Sequence, residues 1–227
     1  MNERKRLEDA EAAAAPTPIW DRATRAWHWV VAAMIPAMWY TAEEHMFAFH
    51  RTLGICLAGL LVFRLTWGVV GSRTARFTSF LPTPGRTLAY AKSMFSHTYV
   101  RTIGHNPLGG LSVIAMILAL LVQVGTGLFA VDTDGINSGP LSHLVDFKTG
   151  RDIADIHETS FNILLALIVL HLAAITFYFV AKHINLISPM ITGKVRAPGE
   201  GNTKPGPFAF LFAAALAAGT TYYLFTT

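Results

Sequence analysis

The stretch at residues 155–180, DIHETSFNILLALIVLHLAAITFYFV, decides how the rest of the chain is read. As a helix it is long and apolar enough to cross a bilayer, which takes roughly 17–25 such residues. Yet it carries two histidines, His157 and His171. Polar side chains are costly inside a membrane and persist there when they have partners. The fourteen residues between them amount to a rise of about 21 Å and a rotation of about 1400°, about 40° short of four turns. Both rings therefore leave one face of the helix, at two depths.

The composition agrees with a membrane setting. Of 227 residues, 52% are hydrophobic and 14% charged, against about 25% charged in a typical soluble domain. The net charge of +4 is small, and its placement matters more than its size; lipid is the expected surrounding, and no nucleic-acid partner is expected. A single cysteine, Cys56, excludes an internal disulfide, a four-cysteine zinc site and an iron–sulfur cluster built from this chain alone. No Cys-x-x-Cys-His run is present for a covalently attached haem. Residues 1–18 begin with charge but lack the apolar core of a signal peptide, and are expected to form a mobile tail.

Charge-free runs locate the other spans. Residues 26–42, 159–181 and 205–227 carry no charge, residues 52–72 enclose only Arg64, and thirty uncharged residues separate Arg101 from Asp132. Helices are predicted near 22–43, 48–70, 107–131, 153–182 and 206–226. The fold class is therefore all-α integral membrane, a four-helix bundle over 19–194 followed by a linker and a fifth span in 195–227. Residues 71–106 carry Arg73, Arg76, Arg86, Lys92 and Arg101 and no acid, and Lys182, Lys194, Arg196 and Lys204 follow the fourth span. Glu43, Glu44, Asp132, Asp134, Asp146, Asp152 and Asp155 mark the other side, against Lys148 and Arg151. Loops rich in Lys and Arg stay in the cytoplasm, which puts the N-terminus inside and the C-terminus outside. Residues 79–95 read as a proline break followed by a short amphipathic surface helix.

This topology supplies partners for the two histidines. His28 lies early in the first helix, near the inner side, and His50 opens the second, near the outer side. Depth matches His50 with His157 and His28 with His171. Two stacked bis-histidine sites suit two b haems held between helices. Any one of these histidines alone is read equally well as a helix–helix hydrogen bond; two pairs matched in depth are harder to reach by accident. Arg64, the one charge inside a span, and Arg25, one turn before His28, are candidates for the inner haem propionates. Arg51 and Arg151 are candidates for the outer ones, with interfacial snorkelling as the alternative. Gly54, Ala58, Gly59, Gly125 and Gly127 permit close approach of a flat macrocycle, or close helix packing. Trp27 and Trp29 edge the inner haem or join an aromatic belt. His105, at the mouth of the third helix, is a candidate for quinone binding or proton transfer; the alternative is a cap with a solvated ring. His45, His97, His143 and His183 fall in loops, and Cys56 reads as packing.

The motifs WDRATRAWHWV at the first helix, FHRTLG at the second, RLTWGVVGSRTARF leaving it, GHNPLGG entering the third, and IHETSFN and LHLAA in the fourth resemble the bacterial cytochrome b561 and nickel–iron hydrogenase b-type cytochrome subunits. The likeness covers roughly residues 18–194. It implies a multi-pass protein of the bacterial inner membrane whose haem ligands fall on His28, His50, His157 and His171. It further implies electron transfer between the quinone pool and a periplasmic protein, such as a cytochrome c or a dehydrogenase or hydrogenase subunit. The fifth span and the longer tail depart from that pattern. Family members resembling this chain also include superoxide oxidases, a reading against which the acidic surplus of the outer loops argues. A haem-free anchor or assembly subunit is the third reading.

Overall fold

The computed structural model describes residues 15–81, 83–94, 104–196, 201–203 and 205–227. Five long helices run up and down: α1 (Arg22–Glu43), α2 (Phe47–Val70), α5 (Pro107–Phe129), α6 (Phe147–Ala181) and α8 (Pro207–Thr226). Between α2 and α5 lie the short α3 (Phe77–Phe80) and α4 (Pro84–Met94), and α7 (Ile187–Thr192) follows α6. The proline break and the short helix expected at 79–95 thus correspond to α3 and α4, residues 95–103 lying outside the described residues. Among the described residues, four helices are long and apolar enough to cross a membrane: α2, α5, α6 and α8. At 22 residues α1 is long enough too, but Arg22, Arg25, His28 and its three tryptophans dilute its hydropathy.

Local chemistry explains where the helices begin. The Asp21 carboxylate caps α1 by accepting from Thr24 N at 2.8 Å, and the Asn106 side chain caps α5 by accepting from Gly109 N at 2.7 Å. Pro107 then occupies the first turn of α5, where its missing N–H costs nothing. The fourth long helix starts six residues before the expected position. Asp146 caps it by accepting from Thr149 N at 3.0 Å and Thr149 Oγ1 at 2.7 Å. Lys148–Asp152, at 2.7 Å, then lies along the first turns of the helix. The 35 residues of α6 reach about 52 Å, well beyond a hydrocarbon core of about 30 Å.

The central core takes residues from four helices: Val31 of α1, Leu57 and Leu61 of α2, Ile117 and Leu120 of α5, and Leu164 of α6. Helix α8 packs on the far side of α2. Trp67 and Ala213 share one cluster at one end of that seam, and Ile55, Ala58 and Leu224 share another at the other. Close approach depends on Gly59, where a Cβ would lie 2.0 Å from Thr221 Oγ1 and 3.0 Å from the Ala217 carbonyl.

One end of the bundle, here the proximal end, is fastened by contacts distant in sequence. β1 (Pro16–Pro18) pairs antiparallel with β2 (Lys194–Arg196), Thr17 opposite Val195. The last residues of the expected tail are therefore ordered in a strand. The linker joins in: Asn202 N donates to Pro18 O at 2.7 Å, Asn202 Nδ2 donates to Ser72 Oγ at 3.1 Å, and Thr74 N donates to Asn202 Oδ1 at 3.2 Å. Ser72 Oγ in turn donates to Asp21. The distal end carries the α1–α2 turn and the loop 130–146, where Val131 and Ser138 form a β-bridge.

Candidate functional site

At the distal level, α2 and α6 bring His50 and His157 together, with ring centroids 6.2 Å apart and planes at 86°. Two imidazoles on opposite sides of one metal, each about 2 Å from it, place their centroids roughly 6 Å apart. Both rings are oriented through Nδ1. His50 Nδ1 lies 2.9 Å from Met38 O, and His157 Nδ1 lies 2.9 Å from Gln123 O. A carbonyl only accepts, so each Nδ1 carries the proton and each Nε2 keeps its lone pair, the arrangement metal-bound histidines adopt. Around the pair lies a cavity of about 580 Å³, walled by all four helices of the core and roofed by residues 130–132 and 136–140. This lies within the 300–1,000 Å³ usual for a cofactor site. Gly54 and Gly127 line it. A Cβ on Gly127 would come within 2.8 Å of His157 Cε1, so only glycine leaves that ring its place. The residues present fit a planar, apolar, bis-ligated group.

At the proximal level, α1 carries His28 and α6 carries His171. Nδ1 of His28 is buried and has no hydrogen-bond partner among the described residues. Trp27 Nε1 donates to Leu60 O at 2.7 Å, which turns the indole into the core beside Arg64. Arg64 is 3% exposed. Its guanidinium lies 4.9 Å from the Phe77 ring centroid and 5.8 Å from that of Trp27, and its single side-chain hydrogen bond among the described residues goes to Ala75 O at 3.3 Å. A buried cation with spare donors is poised to receive an anionic or carbonyl group.

The remaining candidates are distributed as follows. Arg25 donates to the Ile191 carbonyl of α7, and its Nε is buried without a partner among the described residues. Arg51 lines the distal cavity. Arg151 donates to Val131 O at 3.0 Å and lies 3.7 Å from Asp155, so it braces the loop. Trp29 donates to Met190 O at 3.1 Å. His105 does not have the solvated ring of the capping alternative. It lies 4.6 Å from the Trp20 ring and 4.4 Å from that of Phe80, with Nδ1 buried and unpartnered among the described residues. Burial, and secondarily the Arg64 cation, push its pKa down to about 3. The cap itself is Asn106. Cys56 is a half-buried free thiol.

Sequence reasoning missed the polar residues that surround His157. Gln123 Nε2 lies 3.1 Å from His157 Nε2, Gln123 Oε1 accepts from Ser160 Oγ, and Thr126 Oγ1 lies 3.1 Å from His157 Nδ1. Gln123 carried a signal, as the one amide within an otherwise apolar span. Among the described residues no group of three or more His, Cys, Asp or Glu gathers at one point.

Neither the curated proteins nor the solved structures include a significant match. The profile of prokaryotic cytochrome b561 matches residues 19–193, which take in α1 through α7 and leave out α8. The chain belongs to the prokaryotic cytochrome b561 family, membrane cytochromes that carry b-type haem in electron transfer.

Proposed function

We propose that the protein is a two-haem relay passing electrons between a periplasmic redox protein and membrane quinone. One haem lies between His50 and His157, the other between His28 and His171. Haem iron supplies one-electron exchange at each level. The observation that carries this reading is the distal pair, two rings 6.2 Å apart in a glycine-floored cavity. The same spacing along α6 sets a second pair fourteen residues on, about 21 Å away along the helix.

The N-terminus and the proximal end face the cytoplasm, following the excess of Lys and Arg there, and the distal end with the C-terminus faces the periplasm of the inner membrane. Quinone meets the proximal haem beside Trp27, Arg64 and His105. Support comes from the spare donors of Arg64 and the aromatic walls of His105. The superoxide reading fares less well. Glu43, Asp132 and Glu158 line the distal cavity against Arg51, a balance that repels an anion.

Pyridine haemochrome analysis against protein mass should return two haems per chain. His50→Ala and His157→Ala should each remove the distal haem and spare the proximal one, and His28→Ala and His171→Ala the reverse. A ratio of one, or loss of both haems from every folded variant, sinks the reading.

A further inference from the structure

The two distal histidines are oriented unequally. His50 Nδ1–H meets one acceptor among the described residues, Met38 O at 2.9 Å. His157 Nδ1–H meets two: Gln123 O at 2.9 Å and Thr126 Oγ1 at 3.1 Å. The Thr126 hydroxyl has one proton, and its shortest contact is Val122 O at 2.7 Å. Its proton is therefore spent on that carbonyl, and its oxygen lone pairs face the imidazole. An N–H that donates to two oxygens leaves the ring more electron-rich, and hydrogen bonds of this kind raise the basicity of the opposite nitrogen as a metal ligand. On the other side of the ring, the Gln123 amide lies 3.1 Å from Nε2 and is held there by Ser160. That donor needs a lone pair on Nε2, the same tautomer that Thr126 and the Gln123 carbonyl select through Nδ1. Thr126 and the Gln123 carbonyl thus select the Nδ1–H tautomer, while the Gln123 amide holds the Nε2 lone pair that iron would take.

We infer that Thr126 is a positioning residue of the distal haem site, whose hydroxyl makes His157 the stronger of the two axial donors and thereby lowers the potential of that haem. The inference rests on the bis-histidine reading above. It reaches beyond it by assigning the asymmetry of the site to one hydroxyl on α5, a helix that contributes no ligand. A more basic imidazole favours ferric over ferrous iron, so removing the hydroxyl should raise the midpoint potential. Gln123 O stays in place in any Thr126 variant because it belongs to the main chain, so the ring keeps its orientation while losing one acceptor.

The test is a potentiometric titration of the full-length protein with both haems, followed by optical absorbance, with the distal wave assigned from His28→Ala. Thr126→Val should move the distal wave positive and leave the proximal wave in place. Losing a partner of this kind costs about tenfold in affinity at the low end. Borne by the ferric state alone, that is about 59 mV for a one-electron couple. Thr126→Ser, which keeps the hydroxyl, should return the wave toward the wild-type position. Loss of the distal haem from Thr126→Val and Thr126→Ala while Thr126→Ser stays loaded also counts in favour, since the hydroxyl is then what secures the ligand. An unmoved distal wave in Thr126→Val overturns the inference. So does a Thr126→Ser shift as large as that of Thr126→Val, or an equal displacement of both waves. A wild-type protein without a distal haem contradicts the two-haem reading instead, and is seen before any variant is made.

Discussion

At the scale of single residues, the chemistry concentrates where polar groups are buried with too few or unusually many partners. His105 has too few. Its folded pKa, about 3, lies below the ordinary 6.5. As pH falls through 6.5 the unfolded chain takes up a proton that the folded chain refuses. Stability attached to this residue is therefore complete above about 6.5 and lost progressively toward about 3. The apparent melting temperature in detergent should fall across that window, and His105→Gln should flatten the fall. An equally steep fall in the variant would mean that other groups carry it. His157 is the opposite case, with every polar neighbour accounted for. Its neighbours on α6 were visible in the sequence, but Gln123 and Thr126 sit on another helix, and which face of α5 turns toward α6 is settled only by packing. The level of each histidine along its helix, by contrast, follows from counting, and the fold brings His50 to His157.

At the scale of elements, charge-free runs located α1, α2, α5 and α8 because a bilayer admits few alternatives to a helix of that length. They misplaced the start of α6. Lys148, Arg151 and Asp152 read as a solvated loop, whereas Asp146 opens the helix and Lys148–Asp152 and Arg151–Asp155 lie at i, i+4 along it. The strand pair escaped notice because a Pro-Thr-Pro segment carries no strand signal and its partner lies far along the chain. Helix α8 was legible as a span, but not the helix it would choose. Gly59 is the key to that choice. Gly59→Ala places a methyl against Thr221 Oγ1 and the Ala217 carbonyl, and overpacking of this kind costs about 1–3 kcal/mol. The variant should melt earlier than the wild type, and adding Thr221→Ala should recover part of the loss. No recovery would place the clash elsewhere.

At the scale of the whole molecule, acids gather at the distal end. Asp146, Asp152 and Asp155 are among the acids that the sequence puts on this side. In the fold, Asp146 is a cap and the other two are paired with bases. Asp134 and Glu44 are instead free of side-chain hydrogen bonds and ion pairs among the described residues. Asp132 stays ionised to lower pH than an ordinary carboxylate, chiefly because the Asn137 side chain donates to it. Electron transfer from a basic soluble cytochrome c to the distal haem should slow as salt rises, given a Debye length of about 10 Å at 0.1 M. Asp134→Lys with Glu44→Lys should slow it at low salt and leave the high-salt rate near that of the wild type. A rate indifferent to both salt and these charges would exclude electrostatic docking at this end. For the quinone end, reduction by quinol in stopped flow should be slow in His28→Ala, which retains only the distal haem; a wild-type rate there would move the quinone site to the distal level.

The clasp at the proximal end also has a consequence in time. β1 precedes every span, yet its partner β2 leaves the ribosome only after α6 and α7 have been made. Asn202, which ties Pro18, Ser72 and Thr74 together, comes later still. For most of synthesis the four helices of the core therefore stand with that end unfastened. Closure waits for the segment that leads into α8, and only the docking of α8 on α2 follows it in chain order.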